Sequence, residues 1–485
     1  MQIVADLHLH SKYSRAVSRD MILPVMTLFA RKKGINLLTT GDWTHPLWIR
    51  EIKSELVELE SGVFGLRSLA KDKRQITNSQ NEPKFILSVE VSSIYSQGGK
   101  VRRIHSLLFA PSIEVAEKMN AALVKKGANL SSDGRPIVGL TPPNLLEMLM
   151  SLDDRSFLIP CHAWTPWFSL YGSMSGFDSI DECFGDYSKY IYGVETGLSS
   201  DPAMNWRIKE LENRSILSFS DSHSPMKMGR ELTVFELQKL TFDNIKKAIM
   251  APSQLSVLSS RFSESSLSVT RLTGKPKTEK PVAENRQRKT DNRIAYTIEF
   301  YPEEGKYHYT GHRNCKVVYS PEDTREKGTI CPVCSRNLTV GVMERVEALA
   351  SSPEEISKQN GKSGVKWITD PTKNHPPFAK LVPLNEIIAE VLGLGSSSLK
   401  VKTLYDQLTE KFGSEFEILL KTPIDKIKKI AGEKVAEAIL KVRNGDIFIF
   451  PGYDGEYGIV KISSDAKALE DKESKESGQE QLGLI

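Results

Sequence analysis

The 485-residue sequence contains no apolar run that approaches the roughly 20 residues a membrane-spanning helix needs, so no membrane partner is expected. Its N-terminus, MQIVADLHLH, lacks a basic segment followed by an apolar one, which speaks against a secretory signal. Cysteine is scarce: there are five, an odd number, and Cys315, Cys331 and Cys334 crowd into one short stretch. That pattern argues for metal binding over a disulfide framework and fits a reducing, cytoplasmic location. A dominant charge is missing as well, since a net +4 is too weak to imply nucleic acid by itself. What is present is an ordinary globular composition, 39% hydrophobic and 26% charged, over a length that points to roughly two to four domains.

Residues 1–250 alternate short apolar runs with helical stretches. The expected strands are Gln2–Ala5, Leu37–Thr40, Lys84–Val89, His105–Ala110, Phe157–Pro160, Tyr192–Glu195 and Leu217–Ser220. Helices are expected at Leu23–Lys33, Ile113–Lys126, Pro143–Leu152 and Asn205–Asn213. This alternation reads as an α/β fold with a mainly parallel sheet. Residues 251–293 form a basic linker, with eight basic residues against three acidic ones between Arg271 and Arg293. A Cys/His module follows at 294–345, then a mainly helical part with a short β end at 346–463. Residues 464–485 read as an acidic, disordered tail.

Six of the nine histidines recur just after the apolar strands, in company with carboxylates. The first group is Asp6-Leu-His8-Leu-His10. Alternate residues on a strand share a face, so His8 and His10 can share one ion, with Asp6 orienting them from behind. The others are Asp42 and His45 in GDWTH, Glu90 after KFILSV, His105 after Arg102-Arg103, His162 after FLIP, Glu195 in YGVE, and Asp221-Ser-His223. Imidazoles and carboxylates at many strand ends suit several divalent ions, magnesium, manganese or zinc, and several ions together suit phosphoester hydrolysis. A lone histidine in such a place is more often packing; the number and order of these residues carry the inference.

DLHLHSKYS, GDWTHP, SVEVS, RRIHSLLFA, IPCHAW and FSDSHSP together resemble the ordered motifs of the PHP (polymerase and histidinol phosphatase) superfamily. The resemblance implies a distorted β/α barrel of seven strands holding three metal ions, with ligands His8, His10, Glu90, His105, His162, Asp221 and His223. Asp42 and His45 depart from the common Thr-Asp-His form, and either one could be the ligand.

His312-Arg-Asn-Cys315 and Cys331-Pro-Val-Cys334 are separated by fifteen residues, the spacing of a closed structural zinc site, with His308 as an alternative to His312. Arg313 and the basic residues around it suit a phosphate backbone. Residues 422–440 read as helix, tight turn at Gly432, helix, similar to a helix-hairpin-helix element that offers DNA its backbone N–H groups beside Lys428, Lys429 and Lys434. The terminal Gln481, Leu482, Leu484 and Ile485 resemble a peptide that docks on a DNA sliding clamp.

The order of parts, closing with VRNGDIFIFPGYDGEYGIV, looks like the endonuclease Q family up to about residue 463. That resemblance implies a DNA repair endonuclease that cuts 5′ of deaminated bases (uracil, hypoxanthine, xanthine) or abasic sites; nothing in the sequence suggests an obligate dimer, so a monomer is expected, associated with the nucleoid. The expected chemistry is attack by a metal-bound hydroxide, with Asp221 and His223 at its centre and Arg102 or Arg103 stabilising charge. Trp164 and Trp167 are candidates to hold or replace a flipped base. The rival readings are a PHP-type phosphatase of a small phosphate monoester and a DNA-binding adaptor whose metals are only structural.

Overall fold

The computed structural model describes residues 1–69, 82–251, 292–361 and 363–462. The calls for a basic linker and a clamp-binding tail fall almost wholly outside the described residues. The fold is a mixed α/β arrangement built on one large sheet. Gln2–Asp6 lies at its centre, parallel to Leu37–Thr39 and antiparallel to Leu232–Glu236. Leu37–Thr39 runs parallel to Lys84–Gln97 in turn. The expected strands end where charged or small residues break the apolar runs, and Phe157–Pro160 and Leu23–Lys33 have the bounds the pattern predicts.

The sheet is mixed, where a mainly parallel one was expected. Lys84–Gln97 does not stop at Val89 but continues into a long hairpin with Lys100–Ala110, in antiparallel register from Leu87↔Ala110 to Gln97↔Lys100. The reason is the two-residue Gly98-Gly99 turn, too short for a crossover helix and well suited to a hairpin. Phe157–Pro160 adds antiparallel to that hairpin. Gly193–Glu195 and Ser215–Leu217 pair only with each other among the described residues, in parallel.

The sheet also passes beyond residue 250. Arg293–Glu299 pairs antiparallel with Leu232–Glu236, and Phe378–Lys380 pairs parallel with Arg293–Glu299. The C-terminal helices pack on the helix Leu23–Lys33. At this seam the ammonium of Lys33 meets Glu415 Oε2 at 2.7 Å with both side chains buried. Glu415 also accepts from Tyr405 Oη at 2.8 Å and from Leu384 N–H at 3.0 Å, so this buried charge pair is hydrogen-bonded on several sides.

Candidate metal centre and the cavity beside it

Seven side chains singled out by the sequence converge beyond the ends of Gln2–Asp6, Phe157–Pro160 and Ser215–Leu217, against the middle of the long hairpin. His8 donates from Nδ1 to Glu195 Oε1 at 2.8 Å, and His10 from Nδ1 to Asp42 Oδ1 at 3.1 Å. With Nδ1 donating, Nε2 of each ring is the atom left to take either a proton or a metal ion. His8 Nε2 lies 3.9 Å from Glu90 Oε2 and 3.6 Å from Asp221 Oδ1. His10 Nε2 lies 3.5 and 3.0 Å from the same two oxygens. Nitrogen and carboxylate lone pairs brought this close repel unless a proton or a metal ion sits among them. His8 Nε2 and Glu90 Oε2 are buried and have no hydrogen-bond partner, which is the arrangement a divalent ion satisfies.

The other oxygen of Glu90 lies 2.5 Å from His105 Nδ1 and 2.9 Å from His162 Nε2. Nearer solvent, His223 joins His10 and Asp221, its ring 4.8 Å from that of His10. Three groups therefore share members: His8–His10–Glu90, Glu90–His105–His162 and His10–Asp221–His223, each with its ligand atoms within 4.8 Å of one another. Cys161, buried beside His162, forms a similar group with His8 and Glu195.

Burial by itself would push the Glu90 and Asp221 carboxyls up, yet the surrounding histidines hold both far below the usual carboxylate range. Burial lowers His10, but Asp221 and Asp42, with Glu90, overcome it and push the ring up to about 9. A buried cluster so committed to negative oxygens attracts cations. The backbone is bent to build it: Asp42, His162 and Asp221 have φ of 47°, 34° and 46°, in the left-handed region that non-glycine residues rarely adopt.

Asp42 and His45 stand in different surroundings. The second oxygen of Asp42 accepts from Ser11 N–H at 2.6 Å and from the Ser11 and Ser14 hydroxyls at 2.8 Å each, so this carboxylate holds His10 from behind. His45 caps the helix Pro46–Glu55; its Nδ1 accepts from Leu47 N–H at 3.3 Å and its ring stacks on Tyr13 at 4.3 Å. Among the described residues neither belongs to a group of potential ligands. Asp6 does not touch the histidines' rings either. It accepts from Ser220 N–H at 3.0 Å, Ser220 Oγ at 2.6 Å and Gly229 N–H at 2.8 Å, bracing the segment that bears Asp221. Glu195 does the orienting, and also accepts from His162 N–H at 2.8 Å.

The two arginines before His105 have other partners. Arg102 donates to the Gly176 carbonyl and lies 4.0 Å over the Phe177 ring, while Arg103 sits 5.7 Å over Phe168. Neither guanidinium is paired with a cluster carboxylate. Arg135 approaches the cluster carboxylates, its Nη1 3.8 Å from Glu90 Oε2. It follows Gly134, where a Cβ would lie 2.4 Å from Asp42 Oδ2, so only glycine lets this loop reach the site. No strand-end pattern marks this loop, so spacing could not find it.

Beside the cluster opens a cavity of about 520 Å³. Trp167, Phe168 and Tyr307 line it together with His105, Arg135 and His308. Tyr457 stands 71% exposed at its rim, with Lys306 Nζ 4.5 Å above the ring. Trp164 is not part of it: fully buried, it stacks on Tyr171 at 4.6 Å and donates to Asn205 Oδ1 at 2.8 Å, a core role.

Elsewhere, His312, Cys315, Cys331 and Cys334 bring their ligand atoms within 4.8 Å of one another, and His308 lies outside this group. Arg313, exposed, is held through its N–H by Asp454 Oδ2 at 2.8 Å, which ties the module to the C-terminal β turn. The helices Ile424–Ala431 and Glu433–Asn444 meet at Gly432, whose φ of 82° requires glycine there. Lys428, Lys429 and Lys434 are exposed around this turn, Lys428 paired with Glu433.

Residues 383–446 match the family described as the MJ0043 C-terminal domain. The chain is 34% identical over 321 residues to the uncharacterised protein MJ0043 of Methanocaldococcus jannaschii, covering 64% of this chain but only 33% of that protein's length. It is 25% identical over 469 residues to the uncharacterised protein YqxK of Bacillus subtilis, covering 95% and 99% of the two. Among solved structures, the lesion-specific endonuclease PfuEndoQ from Pyrococcus furiosus superposes with a TM-score of 0.72 at 31% identity, over 96% of both chains. An endonuclease Q bound to a 27-mer duplex with an abasic lesion at its active site gives 0.73 at 31% identity, over 96% of this chain and 98% of that one.

Fold and site together define a metal-dependent nuclease or phosphoesterase. The arrangement extends over nearly the whole length, from the cluster through the Cys/His module to the C-terminal turn. The chain belongs to the endonuclease Q family.

Proposed function

We propose that the protein is a DNA repair endonuclease that hydrolyses the phosphodiester 5′ of a damaged nucleotide, its targets being deaminated bases (uracil, hypoxanthine, xanthine) and abasic sites. The observation that carries this reading is the cluster of ligand atoms set in the wall of an aromatic-lined cavity large enough for a base turned out of the helix. The abasic lesion at the active site of a solved relative supports it.

His8, His10, Glu90, His105, His162, Asp221 and His223 would hold the ions, magnesium or manganese with zinc as an alternative, and the orphaned His8 Nε2 and Glu90 Oε2 fit that role. Bound divalent ions would supply hydroxide at neutral pH and offset charge on the phosphate. The chain's own part is positional and electrostatic. Glu195 and Asp42 keep two imidazoles turned inward, and Arg135 brings a fixed positive charge to the edge where a phosphate would lie. His312, Cys315, Cys331 and Cys334 would hold a structural zinc.

The cluster sits in what we read as a distorted PHP-type barrel. One apolar group gathers Ile3, Leu37, Ile86, Phe109, Phe157, Leu217 and Phe235 from seven different strands, as a closed interior would. Arg313 and the lysines around Gly432 would meet the DNA backbone, and Gln481–Ile485 would dock on a sliding clamp. The chain would act as a monomer.

The test is incubation, with magnesium or manganese, of duplexes bearing one uracil, one abasic site or no lesion, alongside a small phosphate monoester. Nicking 5′ of the lesion is expected. Turnover of the monoester with every duplex intact would replace this reading with a phosphatase.

A further inference from the structure

Tyr457 stands at the mouth of the cavity, on a turn held by its backbone. The turn joins the strands Phe448–Phe450 and Ile459–Lys461. It is pinned to the segment that precedes Tyr307. Gly452 N–H donates to the Glu303 carbonyl at 2.8 Å, Gly455 N–H to that of Lys306 at 2.9 Å, and Gly458 N–H to that of Glu304 at 3.1 Å. A Cβ on Gly458 would run into the Glu303 carbonyl, so glycine is what allows this close approach. Asp454, within the turn, accepts from Arg313 N–H at 2.8 Å and from Thr339 Oγ1 at 2.6 Å. So braced, the turn cannot fold the tyrosine ring inward. The ring is 71% exposed, and among the described residues its ring contact is the Lys306 ammonium, 4.5 Å above it. The Arg313 guanidinium lies close against Gly455 in the same turn, and Arg135 lines the same cavity. A lone exposed tyrosine is ordinary. A rigid one, set among cations at the mouth of a cavity, suits a base step with its phosphates.

Turning a nucleotide out of a duplex opens a gap, and the base pairs on either side lose their stacking across it. A flat ring carried on a rigid turn beside the receiving cavity can enter that gap and restore part of the stacking. We propose that Tyr457 fills the duplex in place of the extruded nucleotide, stacking on the base pair left beside the gap. The inference rests on the cavity being the base site of a DNA endonuclease. Position assigns Tyr457 to the duplex and other rings to the extruded base. Trp167 and Tyr307 meet edge to face at 5.4 Å and, with Phe168, line the space that the base would enter, whereas Tyr457 stands exposed at its rim. Stacking of this kind is indifferent to the lesion, so one residue serves damaged bases and abasic sites alike.

The test compares cleavage, with manganese, of a uracil paired in a duplex and of the same strand with the uracil in a short bubble of mismatches, where it and its neighbours are already unpaired. Tyr457→Ala should cut the paired substrate more slowly by about 10-fold or more. It should cut the bubble nearly as fast as the unaltered protein does, and bubble cleavage in the same preparation reports folding. Tyr457→Phe keeps the ring and should cut both substrates normally. A 2-aminopurine next to the paired uracil, tried on each side with calcium in place of manganese, reads the gap directly. On one side it should brighten more when Tyr457→Ala binds than when the unaltered protein binds, because no ring then covers it. An equal loss on both substrates would make Tyr457 part of the wall that holds the base and would overturn the proposal. So would an unchanged rate on the paired substrate, or equal brightening at both positions. If the unaltered protein cut neither substrate, the endonuclease reading beneath the proposal would fall instead.

Discussion

Replacing Asp42 by Asn tests the positioning of His10 with almost no change of shape. One carboxylate oxygen of Asp42 accepts from three donors, the Ser11 N–H and the Ser11 and Ser14 hydroxyls, while the other accepts only from His10 Nδ1. An asparagine must choose. Three donors outweigh one, so its oxygen turns to the serines and its NH₂ faces His10. The ring then becomes an acceptor at Nδ1 and carries its proton on Nε2, the atom that faces Glu90 and Asp221. Loss of such an orienting partner lowers metal affinity by about 10- to 100-fold, or roughly 1.4–2.7 kcal/mol. Chelator competition with manganese, read by paramagnetic resonance, measures the loss, and cleavage should fall with it. His45→Ala is the control. It removes a helix cap and should lower stability by about 0.5–2 kcal/mol while leaving the ions in place. Loss of an ion from His45→Ala, with Asp42→Asn unaffected, would refute the reasoning.

Arg135→Ala should slow cleavage by roughly 100-fold at unchanged ion content, whereas Arg102→Ala should not; the reverse order in single-turnover rates would restore the position-based expectation. Cys331→Ser should release one tightly held ion per chain and lower the melting temperature, read by atomic absorption and calorimetry; an unchanged ion count would reject the closed site. Glu299 and Glu231 are buried side by side and share the Thr196 hydroxyl. Burial pushes the Glu299 carboxyl from 4.5 up to about 7, so folding favours its protonated form. That contribution to stability is full below pH 4.5 and is lost as pH rises through about 7. Glu299→Gln should therefore melt higher than the unaltered protein at pH 8 and close to it at pH 5; an equal difference at both would show that titration is not the cause.

The sequence by itself determined which residues are the candidate ligands. His8, His10, Glu90, His105, His162, Asp221 and His223 stand in or just beyond apolar strand-forming runs, and a strand's local pattern is enough to place a side chain at its end or on its face. The helix Leu23–Lys33 and the meeting of two helices at Gly432 were legible for the same reason, because periodicity, capping and turn chemistry act within a few residues. What the tertiary structure alone decided is which groups stand behind these candidates. Glu195 meets His8 across 187 residues, and Asp42 turns its oxygens to His10 and two serines. Arg135 arrives on a loop that only Gly134 allows so close. The mixed sheet followed from a two-residue turn that carries the strand straight back, and Trp164 was drawn into the core. Such pairings depend on where distant segments come to rest, and a side chain's type and spacing carry no record of that.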